Sequence, residues 1–213
     1  MHKVILSTAY LPPISWLAAA IQSKAVEIEF FETYPKQTYR NRCIIAVSGG
    51  ILNLTVPVIR ADGNHTITGN VGIDNSTKWQ QLHWRSIVSA YSKAPYFLYY
   101  RDLFEPLYHK PFTKLIDLNR EILSIVFKSL NISNLHIALS KQYEFTPVYP
   151  DLRNSFHPKK RLIKEEDTHS ERYIQVFEEI NGFIPDLSCI DLLFNLGPDA
   201  AAYLARVKPI PGE

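Results

Sequence analysis

KVILSTAYLPPISWLAAAIQSKAVEIEF, residues 3–30, decides the fold class. Lys3 to Ser7 is a short apolar run of the length and character of a buried strand. Pro12 and Pro13 then punctuate the chain. Ile14 to Ser23 reads as a helix with proline near its first turn, where a missing N–H leaves no partner unsatisfied. Val26, Ile28 and Phe30 alternate with Glu27 and Glu29, the period of a strand with one wet face. Strand, helix and strand in succession predict a βαβ unit and so a partly parallel sheet.

Downstream, Cys43 to Val47 and Ile51 to Ile59 are strand-like runs joined by Ser48-Gly49-Gly50, a hairpin signal, with Pro57 pointing to an edge position. The polar cluster Ile73-Asp74-Asn75-Ser76 has the composition of a helix N-cap and predicts a helix over about Thr77 to Tyr91. Two more helices are expected, one after Pro95 and one over Phe112 to Leu130, where Leu115, Ile116, Ile122, Leu123 and Val126 share a face. Leu135 to Leu139 reads as a last strand, and a short helix follows Pro198. Asp186 is expected to cap a helix from Leu187 onward. The whole is an α/β fold with an N-terminal βαβ start, a mixed sheet and a helical second half. It forms a single domain over residues 1–213, with an exposed loop around 151–170.

Composition removes several function classes. The chain has 213 residues, 46% of them hydrophobic and 21% charged, enough to bury a core. Its net charge of +2 argues against a nucleic-acid partner, including one held by the basic run Lys159 to Lys164. No apolar run approaches the roughly 18 residues of a membrane span, and the amino-terminal segment turns polar too early for a signal peptide, so a cytoplasmic location is expected. With 8 glycines, none before Gly49, neither a dinucleotide fingerprint nor a P-loop occurs. The histidines lack metal-site spacing, and no cofactor or metal is expected. Cys43 and Cys189 sit in apolar surroundings and read as buried thiols.

Two constellations remain. The stretch Tyr34 to Arg42 carries Lys36, Arg40 and Arg42 beside Asn41, and contains no acid. Guanidinium forks bind phosphate or carboxylate bidentately, and Tyr10 upstream is an aromatic that could join such a site. An exposed basic loop would have the same composition. In the second, Trp79, His83 and Ile87 fall on one helix face. A histidine there is either a satisfied core residue or a general base near neutral pH. Asp74 and Asn75 at the helix start are either caps or groups that orient a substrate.

The segments Val4-Ile5-Leu6 to Leu17, Arg40-Asn41-Arg42, Leu52 to Val58, Ile73 to Trp79 with His83, Ser92 to Phe97 and Phe183 to Leu193 resemble, in order, those of the WbqC-like family, bacterial proteins associated with surface-polysaccharide (O-antigen-type, lipopolysaccharide) synthesis. The resemblance implies a transferase that adds an aminoacyl or other acyl group to an activated amino sugar, or a non-catalytic binding or scaffold protein of the same pathway. The expected partner is a sugar nucleotide or other phosphorylated small molecule. On that reading His83 and Asp74 are the catalytic candidates. Tyr10, Lys36, Arg40, Asn41, Arg42, Asn75 and Trp79 are the candidates for substrate binding.

Overall fold

The structure, a computed structural model, describes residues 3–160 and 172–208. Strand β1 (Lys3–Ser7), helix α1 (Ile14–Ile21) and strand β2 (Ala25–Glu29) form the expected βαβ unit. The strands pair in parallel, Val4 opposite Val26 and Leu6 opposite Ile28. β7 (His136–Leu139) adds to the far side of β2, also in parallel, giving the order β1-β2-β7. Alternation puts Val26 and Ile28 in the core, where each is 1% exposed.

Antiparallel pairing occurs in two separate small sheets. β3 (Arg42–Val47) and β4 (Gly50–Thr55) form the hairpin, and Gly50, at φ 111°, supplies the backbone conformation the tight connection requires. β5 (Val58–Ile59) pairs with β6 (Gly72–Ile73), so Pro57 lies between two short strands and is not inside one.

The helical half follows the expected order, α2 (Trp79–Tyr91), α3 (Phe97–Phe104), α4 (Leu115–Ser129), α6 (Cys189–Leu196) and α7 (Ala200–Arg206), and adds a single unexpected turn, α5 (Glu178–Asn181). Leu115, Ile116, Ile122, Leu123 and Val126 form the buried stripe of α4. The aromatic run before and within α3 is a packing face, with Tyr91, Phe97 and Tyr100 in the core. Both cysteines are free and buried. No helix among the described residues is long and apolar enough to cross a membrane.

Two expectations need correction. Asp186 does not cap its own helix. It sits at φ 53°, and its Oδ1 accepts a hydrogen bond from the Ser15 backbone N–H at 2.8 Å, capping α1 from across the fold. The start of the segment taken for an exposed loop is buried. Ile5 of β1 exchanges backbone bonds with Pro150 and Leu152 at 3.1 and 2.9 Å, and Leu152, Arg153 and Phe156 are buried. These residues cover the β1 edge that β2 leaves open, which an isolated apolar Leu and Phe among polar neighbours did not signal. Residues 161–170 of that expected loop, with Arg161 and Lys164 of the basic run, lie outside the described residues.

Candidate functional site

The turn from β1 into α1 positions the site. Ser188 donates from Oγ to the Leu11 carbonyl, and the Cys189 N–H bonds the Pro12 carbonyl, so the segment entering α6 clamps the turn. The Tyr10 N–H bonds the Tyr39 carbonyl. Held in this way, the fully buried Tyr10 places its hydroxyl 2.9 Å from His83 Nδ1 and 3.1 Å from the Tyr108 hydroxyl.

Burial pushes the His83 imidazole down to about 4, and a backbone hydrogen bond at Thr55 opposes that shift only in part. Burial also drives both tyrosine hydroxyls well up from their ordinary value. At neutral pH all three groups are therefore uncharged. The chain is satisfied when Tyr108 donates to Tyr10 and Tyr10 donates to Nδ1, which leaves the imidazole proton on Nε2. Trp79 meets the ring edge-on, with centroids 5.2 Å apart. Asn75 ties this pair down: its Oδ1 accepts from the Trp79 indole at 3.2 Å and its Nδ2 donates to the Phe112 carbonyl at 2.9 Å.

Above His83 lies a groove of about 480 Å³, lined by Thr55, Pro57, Lys78, Trp79, Leu82 and Arg85 among others. No carboxylate lines it. Lys78 and Arg85 are exposed and form no ion pair among the described residues. Arg42, opposite Thr55 in the hairpin, donates from Nε to the Thr55 hydroxyl at 3.1 Å and adds a third cation beside the rim. An anion entering the groove meets cations with no internal competitor, next to an apolar wall of Trp79 and Leu82.

The structure therefore gathers Tyr10, Asn75, Trp79, His83 and Arg42 at or beneath one groove. Asp74 stands next to it. Its backbone N–H bonds the Pro57 carbonyl, and its carboxylate is held below the usual range by hydrogen bonds with Ser76. Lys36 is exposed, unpaired among the described residues and absent from the groove lining.

Arg40 and Asn41 need correction as substrate ligands. Arg40 is 2% exposed and makes a two-point ion pair with Glu32, at 2.7 and 2.6 Å. Its guanidinium is occupied by an internal carboxylate and is sealed from solvent. Asn41 donates to the Val56 carbonyl at 2.8 Å, a bond that fixes the hairpin exit. The acid-free stretch begins at Tyr34, two residues after Glu32, the acid that matters.

Glu32 belongs to a second buried network at the carboxyl ends of the parallel strands. Glu29, the last residue of β2, accepts from Ser140 Oγ at 2.8 Å and from Arg153 Nη1 at 2.9 Å. Arg153 also binds Asp151 through two nitrogens and stacks 4.4 Å from the Tyr143 ring. Asn119 on α4 joins this region to β1, donating to Thr8 Oγ1 at 3.0 Å and to the Arg40 carbonyl at 2.9 Å. Lys78, Arg85, Tyr108, Thr8 and Asn119 escaped the sequence reading. Lys78 and Arg85 flank the Trp79–His83 pair in sequence and were within reach of a helix-face argument, but Tyr108 and Thr8 acquire their roles only through contacts more than 90 residues away.

A third network surrounds Asp191 in α6. Burial raises its carboxyl to about 6, against hydrogen bonds from Tyr173 at 2.5 Å and Tyr91 at 2.9 Å that act in the opposite direction.

The sequence profile of the WbqC-like protein family matches residues 8–152, from Thr8 through the hairpin, the groove and α4. The chain belongs to that family. It is also similar to "Uncharacterized protein Rv1507c" of Mycobacterium tuberculosis (strain ATCC 25618 / H37Rv), 31% identical over 194 residues, which is 80% of this chain and 83% of that protein. No solved structure matches the chain significantly. The matched region of this WbqC-like protein contains Tyr10, Tyr108, His83 and every groove residue named above. Asp191 and Tyr173 lie beyond it, while their partner Tyr91 lies within it.

Proposed function

We propose that this WbqC-like protein binds a sugar nucleotide, or another phosphate-bearing activated sugar, in the His83 groove, as the recognition step of an aminoacyl or other acyl transfer in surface-polysaccharide synthesis. The observation that carries the reading is a groove lined by Lys78 and Arg85, bordered by Arg42 and free of any lining carboxylate. Phosphate oxygens are the natural counter-charge for such a set, and the Trp79–Leu82 wall suits the apolar face of a sugar or base. In this reading Lys78, Arg85 and Arg42 hold phosphate, and Asp74 and Asn75 flank the acceptor. His83 serves as base through Nδ1, by exchanging its Tyr10 partner for the substrate.

A second reading, binding without turnover, is favoured by one observation. His83 is 3% exposed and is hydrogen-bonded to Tyr10 and at the Thr55 backbone, so it has no free lone pair toward the groove. There it would act as a packed floor.

The test is thermal unfolding with UDP-N-acetylglucosamine, UDP and pyrophosphate, using the native chain and Arg85→Ala, Lys78→Ala and Arg120→Ala. A ligand at about 100 times its Kd adds about 2.7 kcal/mol, roughly 5–10 °C for a domain of this size. The expected result is a shift with the nucleotide ligands that Arg85→Ala and Lys78→Ala lose and Arg120→Ala keeps. A flat panel, or a shift insensitive to Arg85 and Lys78, overturns the reading. If binding stands, loss of acyl transfer in a folded His83→Gln protein separates the base from the packed floor.

A further inference from the structure

The cavity between α4 and the sheet is the feature that the groove does not explain. About 380 Å³ in volume, it is walled by Ile28, Ile137 and Leu139 of β2 and β7 on one side and by Leu123 and Phe127 of α4 on the other. That volume falls within the roughly 300–1,000 Å³ of small-molecule sites. Arg120 to Phe127 spans about 10 Å of helix, and the lining changes character along that length. At the Arg120 end are Thr8, Arg120 and Ser124; toward Phe127 the walls are apolar.

Two observations give the polar end a ligand preference. Arg120 is exposed and forms no ion pair with Asp117, Glu121 or any other carboxylate among the described residues, whereas Glu121 is taken by Lys110. Thr8, 1% exposed, already accepts from Asn119 Nδ2, so its own O–H is available to donate and has no acceptor among the described residues. The Arg40 carbonyl, which can only accept, fixes the Asn119 amide so that Nδ2 is the atom that donates to Thr8. A buried hydroxyl proton without an acceptor is costly and marks a place where an accepting partner is missing. Thr8 follows the last residue of β1, and Leu139 is the last of β7. The cavity thus opens at the carboxyl ends of parallel strands, where open α/β sheets bind ligands.

We propose that this cavity is a second binding site, separate from the His83 groove, for a short acyl chain ended by a carboxylate. The carboxylate lies in the Arg120 fork and accepts from the Thr8 hydroxyl, and the chain lies between Leu123 and Phe127 on one side and Ile137 and Leu139 on the other. The assignment does not depend on what the groove binds.

The experiment is a titration of the full chain with hexanoate, followed by the methyl NMR signals of Ile28, Leu123, Ile137 and Leu139, with hexanol as the uncharged control. The expected result is saturable shifts at those methyls and binding weakened about tenfold or more for hexanol and for Arg120→Gln, the loss of one charge-assisted contact. Ser124→Phe, an exposed position that would block the mouth, should abolish the shifts without loss of thermal stability. Arg85→Ala should bind hexanoate as the native chain does. Absence of saturable shifts at these methyls overturns the proposal. So does equal binding of hexanol and hexanoate with Arg120→Gln unaffected, which would make the cavity a plain apolar cleft.

Discussion

Replacing His83 with glutamine removes a buried titratable group while keeping a polar side chain of similar reach beside Tyr10. The native imidazole is held near 4 by burial, against about 6.5 in an unfolded chain. A histidine whose folded-state value is depressed contributes stability that is complete above 6.5. That stability is lost as pH falls from 6.5 toward 4, because the unfolded chain takes up the proton first. Linkage over those two values gives a loss of about 2 kcal/mol between pH 7 and pH 5, and about 3 kcal/mol by pH 4. Asp191 acts in the opposite direction over the same range, so the native profile alone is a sum of the two. The difference between native and His83→Gln proteins isolates the imidazole, since Asp191 is common to both. Urea unfolding at half-unit pH steps, read by the fluorescence of Trp16, Trp79 and Trp84, supplies that difference. The native advantage should shrink by about 2 kcal/mol from pH 7 to pH 5. A difference constant with pH would refute the neutral, desolvated imidazole and with it the direction assigned to the Tyr108–Tyr10–His83 chain.

Arg40→Ala should cost about 3–5 kcal/mol by urea unfolding, because it strands Glu32 as an unpaired buried charge. A cost below about 1 kcal/mol, the size of an exposed pair, would mean the guanidinium is free to serve a ligand after all. Asp191→Asn should remove a stability gain of about 1 kcal/mol that the native carboxyl, raised to about 6, contributes as pH falls from 7 to 5. A native-minus-variant difference that does not grow over that range would contradict the raised value.

The βαβ start, the hairpin and α2 to α4 were legible because each rests on local period and punctuation: the alternation of Val26 and Ile28, Gly50 at the hairpin connection, the stripe on α4. Pro150 to Leu152 against β1 was not. A parallel backbone ladder to a segment this distant leaves no periodic trace in residues 150–156 beyond Leu152 and Phe156. The same divide runs through the site. Trp79, His83 and Asn75 lie within one helix and its approach, so spacing alone put them together. Arg40 was misassigned because charge composition was read over Tyr34 to Arg42, while a buried guanidinium is governed by whichever carboxylate the fold delivers, here Glu32. Desolvation explains why that carboxylate must be present: an arginine 2% exposed cannot wait unpaired for a substrate. Cations suited to an outside anion are instead those the fold leaves exposed and without an ion pair among the described residues, such as Lys78 and Arg85 at the groove and Arg120 at the α4 cavity.

The turn between β1 and α1 connects these places. Thr8 lines the α4 cavity, and Tyr10, two residues on, supports His83 beneath the groove. Side chains two apart in an extended segment point the same way only if the chain stays extended, and here Leu11 already bends back at φ 43°. Clamping by Ser188 and Cys189 fixes that bend, so a change at the groove or at the α4 cavity that moves the turn must work against the α6 entry. The expected route of coupling between the groove and the cavity is the segment Thr8 to Tyr10. A substitution that loosens the clamp, such as Ser188→Ala, would then weaken hexanoate binding and nucleotide binding together, whereas Arg120→Gln and Arg85→Ala each affect one alone.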